Sequence, residues 1–147
     1  MKLYYYLKKA YLHLERLKEI LEQINRLYPV TQEKINNLTL EEKNALDVLA
    51  FRFSKLQDLL GVKIFREYLK SQGFITEGKP YRDILKEIDN EGIIDIDTWS
   101  EFREVRNNIA HEYPYDENEK INAINYLIQN ISLLETIIKE IDARSFK

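Results

Sequence analysis

From Lys2 to Leu27 the apolar residues Leu3, Leu7, Ala10, Leu14, Leu17, Leu21, Ile24 and Leu27 recur at steps of three and four. Towards the other end, Ile121, Ile124, Leu127/Ile128, Ile131, Leu134, Ile137/Ile138 and Ile141 repeat the pattern. Such steps return to one side of a helix with about 3.6 residues per turn, so each segment predicts a long helix with one apolar stripe. Stripes of this kind bury themselves against one another, which directs the chain to helix-on-helix packing.

The segments between them fit the same plan. Tyr28-Pro29 ends the first helix, because the residue before a proline is pushed out of the helical region. Residues 30–38 read as a polar connector. Thr39-Leu-Glu-Glu42 is a capping box and opens a helix to about Leu60, with Ala45, Leu46, Leu49, Phe53, Leu56 and Leu60 on its apolar side and Asp47, Ser54 and Asp58 off it. Gly61 is expected to terminate that helix, and a short one should follow from Val62 to Ser71, ended by Gly73. Gly78-Lys-Pro80 makes a turn into a helix running to about Asn90. Ile93-Ile-Asp-Ile-Asp97 alternates like a strand but is too short and isolated to carry a sheet, so it reads as a loop holding two isoleucines on the core. Thr98-Trp-Ser-Glu101 and Asp116-Glu-Asn-Glu119 are further capping boxes, opening helices that Pro114 separates. The expected fold is all-α, a mostly antiparallel bundle of about four main helices in one domain spanning residues 1–147.

Composition narrows the function. The net charge of −3 and the isoelectric point near 5.5 argue against a generic nucleic-acid coat, while leaving room for a local basic cleft. The absence of cysteine removes disulfides and thiolate metal sites. No stretch approaches the roughly 20 apolar residues that span a bilayer, and the first residues carry no signal-peptide pattern, so a cytoplasmic protein without membrane association is expected. Tyr4, Tyr5, Tyr6 and Tyr11 could stack bases, although packing against neighbouring helices is the preferred reading.

Chemistry concentrates between Arg103 and Asp116, which holds one of the two histidines beside two arginines, two adjacent amides and two tyrosines. On a helix, Phe102, Val105 and Ile109 share the face that enters the core. With Arg103 at zero, Arg106 falls at about −60°, Ala110 at about −20°, Asn107 at about +40° and His111 at about +80°. Arg106 and His111 thus diverge by about 140° at the backbone and act together only through the length of arginine or across two subunits. A histidine with a pKa near ~6.5 exchanges protons with a ribose hydroxyl or a leaving oxygen. An arginine binds a phosphate bidentately and stabilises charge developing on it, and an asparagine can orient either partner. This set suits phosphodiester cleavage. His13 lies far off in sequence with no ligand spacing to His111, so no metal site is expected. No cofactor is called for, since no glycine-rich phosphate loop is present.

Arg106-Asn-Asn-Ile-Ala-His111-Glu-Tyr113 resembles the R-x4-H-x-Y motif of HEPN-domain proteins, specifically the HepT-like toxins. Asn107 directly after the arginine is typical of that motif, and Leu46 to Asp58 looks like the family's second helix. The resemblance implies a metal-independent endoribonuclease acting on RNA as a homodimer, with Arg106 and His111 catalytic and Asn107 supporting them. It further implies a cognate minimal nucleotidyltransferase (MNT) antitoxin that transfers AMP to Tyr113, with Tyr115 as the second candidate acceptor. Phosphate charge and bulk added there would repel RNA from an anion-binding cleft. Asp47 and Arg103 are candidates for supporting roles, the latter as part of a basic cleft shared by two subunits. Two other readings remain open: a non-catalytic substrate-binding partner subunit of the nucleotidyltransferase, and a helical adaptor whose polar face carries no chemistry.

Overall fold

The computed structural model of the chain describes residues 2–110 and 117–146, without the side chain of Ala110. The elements run α1 (Lys2–Ile24, followed by a 3-10 turn, Asn25–Leu27), α2 (Gln32–Asn36), α3 (Leu40–Asp58), a π-helical turn (Leu59–Ile64), α4 (Phe65–Ser71), α5 (Tyr81–Asn90), α6 (Ile96–Ala110) and α7 (Glu117–Ser145). The described residues contain helices and no strand, as the apolar periodicity predicts.

α1 lies along α3, and α6 packs against both α3 and α7, while α7 also meets α1. Their stripes meet in one connected core. The predicted apolar positions of α3, from Ala45 to Leu60, are all buried, as are Ile121, Ile124, Leu127, Ile131, Leu134, Ile138 and Ile141 on α7. Aromatic rings fix the depth of α6. Trp99 lies 4.9 Å from Phe65, centroid to centroid, and Phe102 lies 6.1 Å from Phe53 and 5.4 Å from Tyr126. With Val105 and Ile109 also buried, α6 presents one face to the core and turns Arg106 towards α3.

Several expectations need correction. Gly61 does not end α3: the helix widens into the π turn and continues into α4. Its role is close approach. A Cβ at Gly61 would stand 2.6 Å from the Tyr81 hydroxyl oxygen and 3.3 Å from the Trp99 ring. Glycine costs about 1 kcal/mol relative to alanine inside a helix, and the packing of α5 and α6 against this point offsets it. Gly73, at φ +93°, is the glycine that takes the left-handed conformation beyond the end of α4.

α6 begins at Ile96, two residues before the predicted cap. Asp95 rather than Thr98 serves its N-terminus, accepting hydrogen bonds from the Thr98 amide at 3.2 Å and the Thr98 hydroxyl at 3.0 Å. The segment 30–38 is more than a connector, since it contains α2, capped by Thr31. The Asn125 side chain clasps the Val30 backbone through both its amide groups, at 2.7 and 3.0 Å, and ties this region to α7. Ile93 and Ile94 are buried in a loop, as expected. The amino-terminal tyrosines divide: Tyr6 and Tyr11 pack on the core, whereas Tyr4 and Tyr5 are exposed. The Tyr11 hydroxyl donates to Asp142 at 2.7 Å, and its pKa is pushed up to about 12 by burial and that carboxylate.

Candidate functional site

The side of α3 opposite its apolar stripe carries Asp47, Phe51, Ser54, Lys55 and Asp58. This face, the C-terminal end of α6 and the start of α7 enclose a groove of about 780 Å³. Arg106 and Ile109 contribute from α6, and Glu117, Lys120 and Ile121 from α7. The floor of the groove is largely apolar, with Ile35, Leu38, Leu46, Ile121 and Ile124 in the lining, and four basic side chains (Lys43, Lys55, Arg106 and Lys120) face three acidic ones (Asp47, Asp58 and Glu117) around it, a slight positive balance in an acidic chain.

Among the described residues, Arg106 is held on one edge. Its Nη2 donates to Asp58 Oδ2 at 2.9 Å across the α6–α3 interface. Its Nε is buried and lacks a hydrogen-bond partner among the described residues, and so does the Ser54 hydroxyl oxygen. Leaving such a group unpaired costs about 1–3 kcal/mol. The guanidinium is oriented by a carboxylate while the side chain as a whole stays 34% exposed at the groove, an arrangement suited to an anionic ligand.

The predicted site residues separate. Arg106 and Asp47 line the groove. Asp47, however, sits 11 residues before Asp58, about 16 Å along the helix axis, and it is Asp58 that meets the arginine. Asn107 is exposed and is not part of the lining. Arg103 does not join the groove either. Its guanidinium lies over the Tyr81 ring, 4.8 Å from the centroid, and Tyr81 in turn accepts a hydrogen bond from Trp99 Nε1 at 2.8 Å. One turn before Arg106, the same residue type is thus drawn to α5. His111, Tyr113 and Tyr115, together with the Asp116 capping box, lie outside the described residues.

Asp58 is the residue that sequence reasoning passed over. It was placed off the apolar stripe, but stripes define faces and leave the axial register between two helices open. An acidic residue on the polar face of the helix opposing Arg106 is the signal, and Asp47 and Asp58 both satisfy it.

The second histidine has a separate setting. His13 Nδ1 lies 3.2 Å from Arg52 Nη1. Its pKa is lowered by burial first, and then by the positive charges of Arg52, Lys55 and Lys9. Among the described residues, no group of three His, Asp or Glu side chains is placed to hold a metal ion. No described helix is long and apolar enough to cross a membrane. Comparison of the chain with protein-family models, with curated proteins and with solved structures finds no match.

Proposed function

We propose that this chain is the toxin of a toxin–antitoxin pair, a metal-independent endoribonuclease that acts as a homodimer and is neutralised when a nucleotidyltransferase antitoxin adds AMP to Tyr113. The observation that carries the reading is Arg106, pinned through Nη2 by Asp58 at the edge of the groove with its side chain 34% exposed. The last described residue of its helix is Ala110, and the chain continues His111-Glu-Tyr113, which completes the R-x4-H-x-Y pattern.

In the proposed reaction, a ribose 2′-hydroxyl attacks the adjacent phosphorus. The P–O5′ bond breaks, leaving a 2′,3′-cyclic phosphate and a 5′-hydroxyl. Arg106 stabilises the charge gathering on the non-bridging oxygens, and His111 exchanges the protons that the attacking and leaving oxygens lose and gain. Asp58 keeps the guanidinium aimed, and Asn107 is placed by the motif to support the pair. Neutralisation forms a bond from the Tyr113 oxygen to the α-phosphorus of ATP and releases pyrophosphate. The added anion then competes with RNA for the same arginine.

Expression of the wild-type chain alone should arrest growth, and co-expression with a neighbouring nucleotidyltransferase gene should relieve it. His111→Ala should be harmless in both settings. With purified partner and ATP, AMP mass should appear on a peptide containing Tyr113, and Tyr113→Phe should escape modification. If Tyr113→Phe is still modified and neutralised, Tyr115 becomes the acceptor to test. A harmless wild-type chain that still binds a nucleotidyltransferase would point instead to the non-catalytic partner subunit.

A further inference from the structure

Basic side chains from α1 and α3 gather at His13, with Arg52 Nη1 3.2 Å from its Nδ1. Lys9 of α1 and Arg52 and Lys55 of α3 form no ion pair with a carboxylate among the described residues, although they crowd the same imidazole. Like charges gathered with no carboxylate at ion-pair distance attract an anion.

The cluster also holds an aromatic ring. Phe51 is 54% exposed, with the Arg52 guanidinium carbon 5.7 Å and Lys55 Nζ 5.6 Å from its centroid. Arginine can only donate, so His13 accepts at Nδ1 and carries its proton at Nε2, which steadies Arg52 without adding charge. Lys55 and Phe51 also line the groove that contains Arg106. The cations and the ring therefore continue the groove along α3 towards α1. Phosphates beside an exposed ring are what single-stranded nucleic acid offers, with its backbone held by cations and a base stacked on the aromatic face.

We propose that Phe51, Arg52 and Lys55, with His13 steadying Arg52, form a second nucleotide-binding subsite for single-stranded RNA, adjoining the Arg106 groove. Arg52 and Lys55 take a phosphodiester and Phe51 stacks the neighbouring base. This inference rests on the endoribonuclease reading and names how that enzyme would grip its substrate away from the scissile bond.

The test measures binding of a fluorescein-labelled 12-nucleotide single-stranded RNA to the full-length His111→Ala protein across a salt series. Phe51→Ala should weaken binding about fivefold or more, and Phe51→Trp should restore it. Arg52→Gln should lower the salt slope by about 0.7, the contribution of one phosphate contact to a single strand. Lys70→Gln, on the exposed side of α4, should change neither. Unchanged affinity in Phe51→Ala and Arg52→Gln, with RNA still bound by the parent, overturns the subsite and leaves the nuclease reading standing. Equal losses for RNA and inorganic polyphosphate, with no effect of Phe51→Ala on either, overturn the stacking role. A shift from dimer to monomer with RNA affinity intact assigns the surface to a second copy instead. Failure of the parent to bind RNA, with no cleavage by the wild type, defeats the nuclease reading itself.

Discussion

Arg103 and Arg106 lie one turn apart on α6, and their surroundings give them different work. Arg103 lies over Tyr81, whose hydroxyl accepts from Trp99 and stands where a side chain on Gly61 would have to go. That is a packing assembly: a cation over a ring, the ring's hydroxyl satisfied, and a glycine admitting both. Arg106 meets Asp58 through one nitrogen at the margin of a groove, and its buried Nε has no hydrogen-bond partner among the described residues. The opposing helix decides the role, since α5 offers Arg103 a ring and α3 offers Arg106 a carboxylate.

The largest difference should be in cleavage. Arg106→Ala is expected to lower the rate of RNA cleavage by about 100-fold or more, as loss of a charge-stabilising donor does, whereas Arg103→Ala should cost less than about tenfold. Because the Arg106 and Asp58 side chains are 34% and 48% exposed, the loss of folding stability should stay within about 1 kcal/mol. Paired activity assays and thermal melts check both. Equal losses for the two arginines would erase the contrast.

Asp58→Ala should slow cleavage by about 10- to 100-fold, because a misaimed guanidinium loses much of its benefit. Asp58→Asn, which keeps an acceptor for Nη2, should fall between Asp58→Ala and wild type. Asp47→Ala provides the comparison within the groove and should have the smaller effect. If Asp47→Ala proves the more damaging, the assignment of Asp58 as the positioning carboxylate is wrong.

The packing assembly is probed by Gly61→Ala. Forcing a methyl group to 2.6 Å from the Tyr81 oxygen should cost about 1–3 kcal/mol and lower the melting temperature by about 3–10 °C. In combination with Tyr81→Phe the loss should be less than the sum of the single losses, since both changes act on the same oxygen. Additive losses would place the strain elsewhere.

The smallest effect concerns His13. Burial and the charges of Arg52, Lys55 and Lys9 hold its pKa below 6.5, so the folded chain binds a proton less readily than the unfolded one. Stability from this residue is therefore complete above the unfolded value of about 6.5, declines as pH falls towards the folded pKa, and is level below it. An NMR titration should find His13 titrating below the ordinary range, and Arg52→Gln should move it upward. A His13 that titrates at or above its ordinary value contradicts the cation cluster.

What could be read from residues alone follows from the same physics. Periodicity gave the faces of α1, α3, α6 and α7, because burial imposes a repeat on the chain itself. It could not give the sliding register of one helix on another, and so Asp47 was singled out where Asp58 makes the contact. Gly61 misled for a related reason. Glycine serves both helix ends and close approaches, and only the arrival of Tyr81 and Trp99 from distant positions distinguishes them. Arg103 was assigned by angle to the stripe of Arg106, but a long side chain goes to the partner within reach, which α5 supplies.

The central claim is that Arg106 and His111 cleave RNA without a metal ion. Incubation of the purified chain with single-stranded RNA in EDTA, beside Arg106→Ala and His111→Ala, tests it most directly. Wild-type protein should release fragments with 2′,3′-cyclic phosphate ends, and each variant should be about 100-fold slower or worse. Cleavage that requires an added divalent ion, or that proceeds at the wild-type rate in Arg106→Ala, would contradict the account.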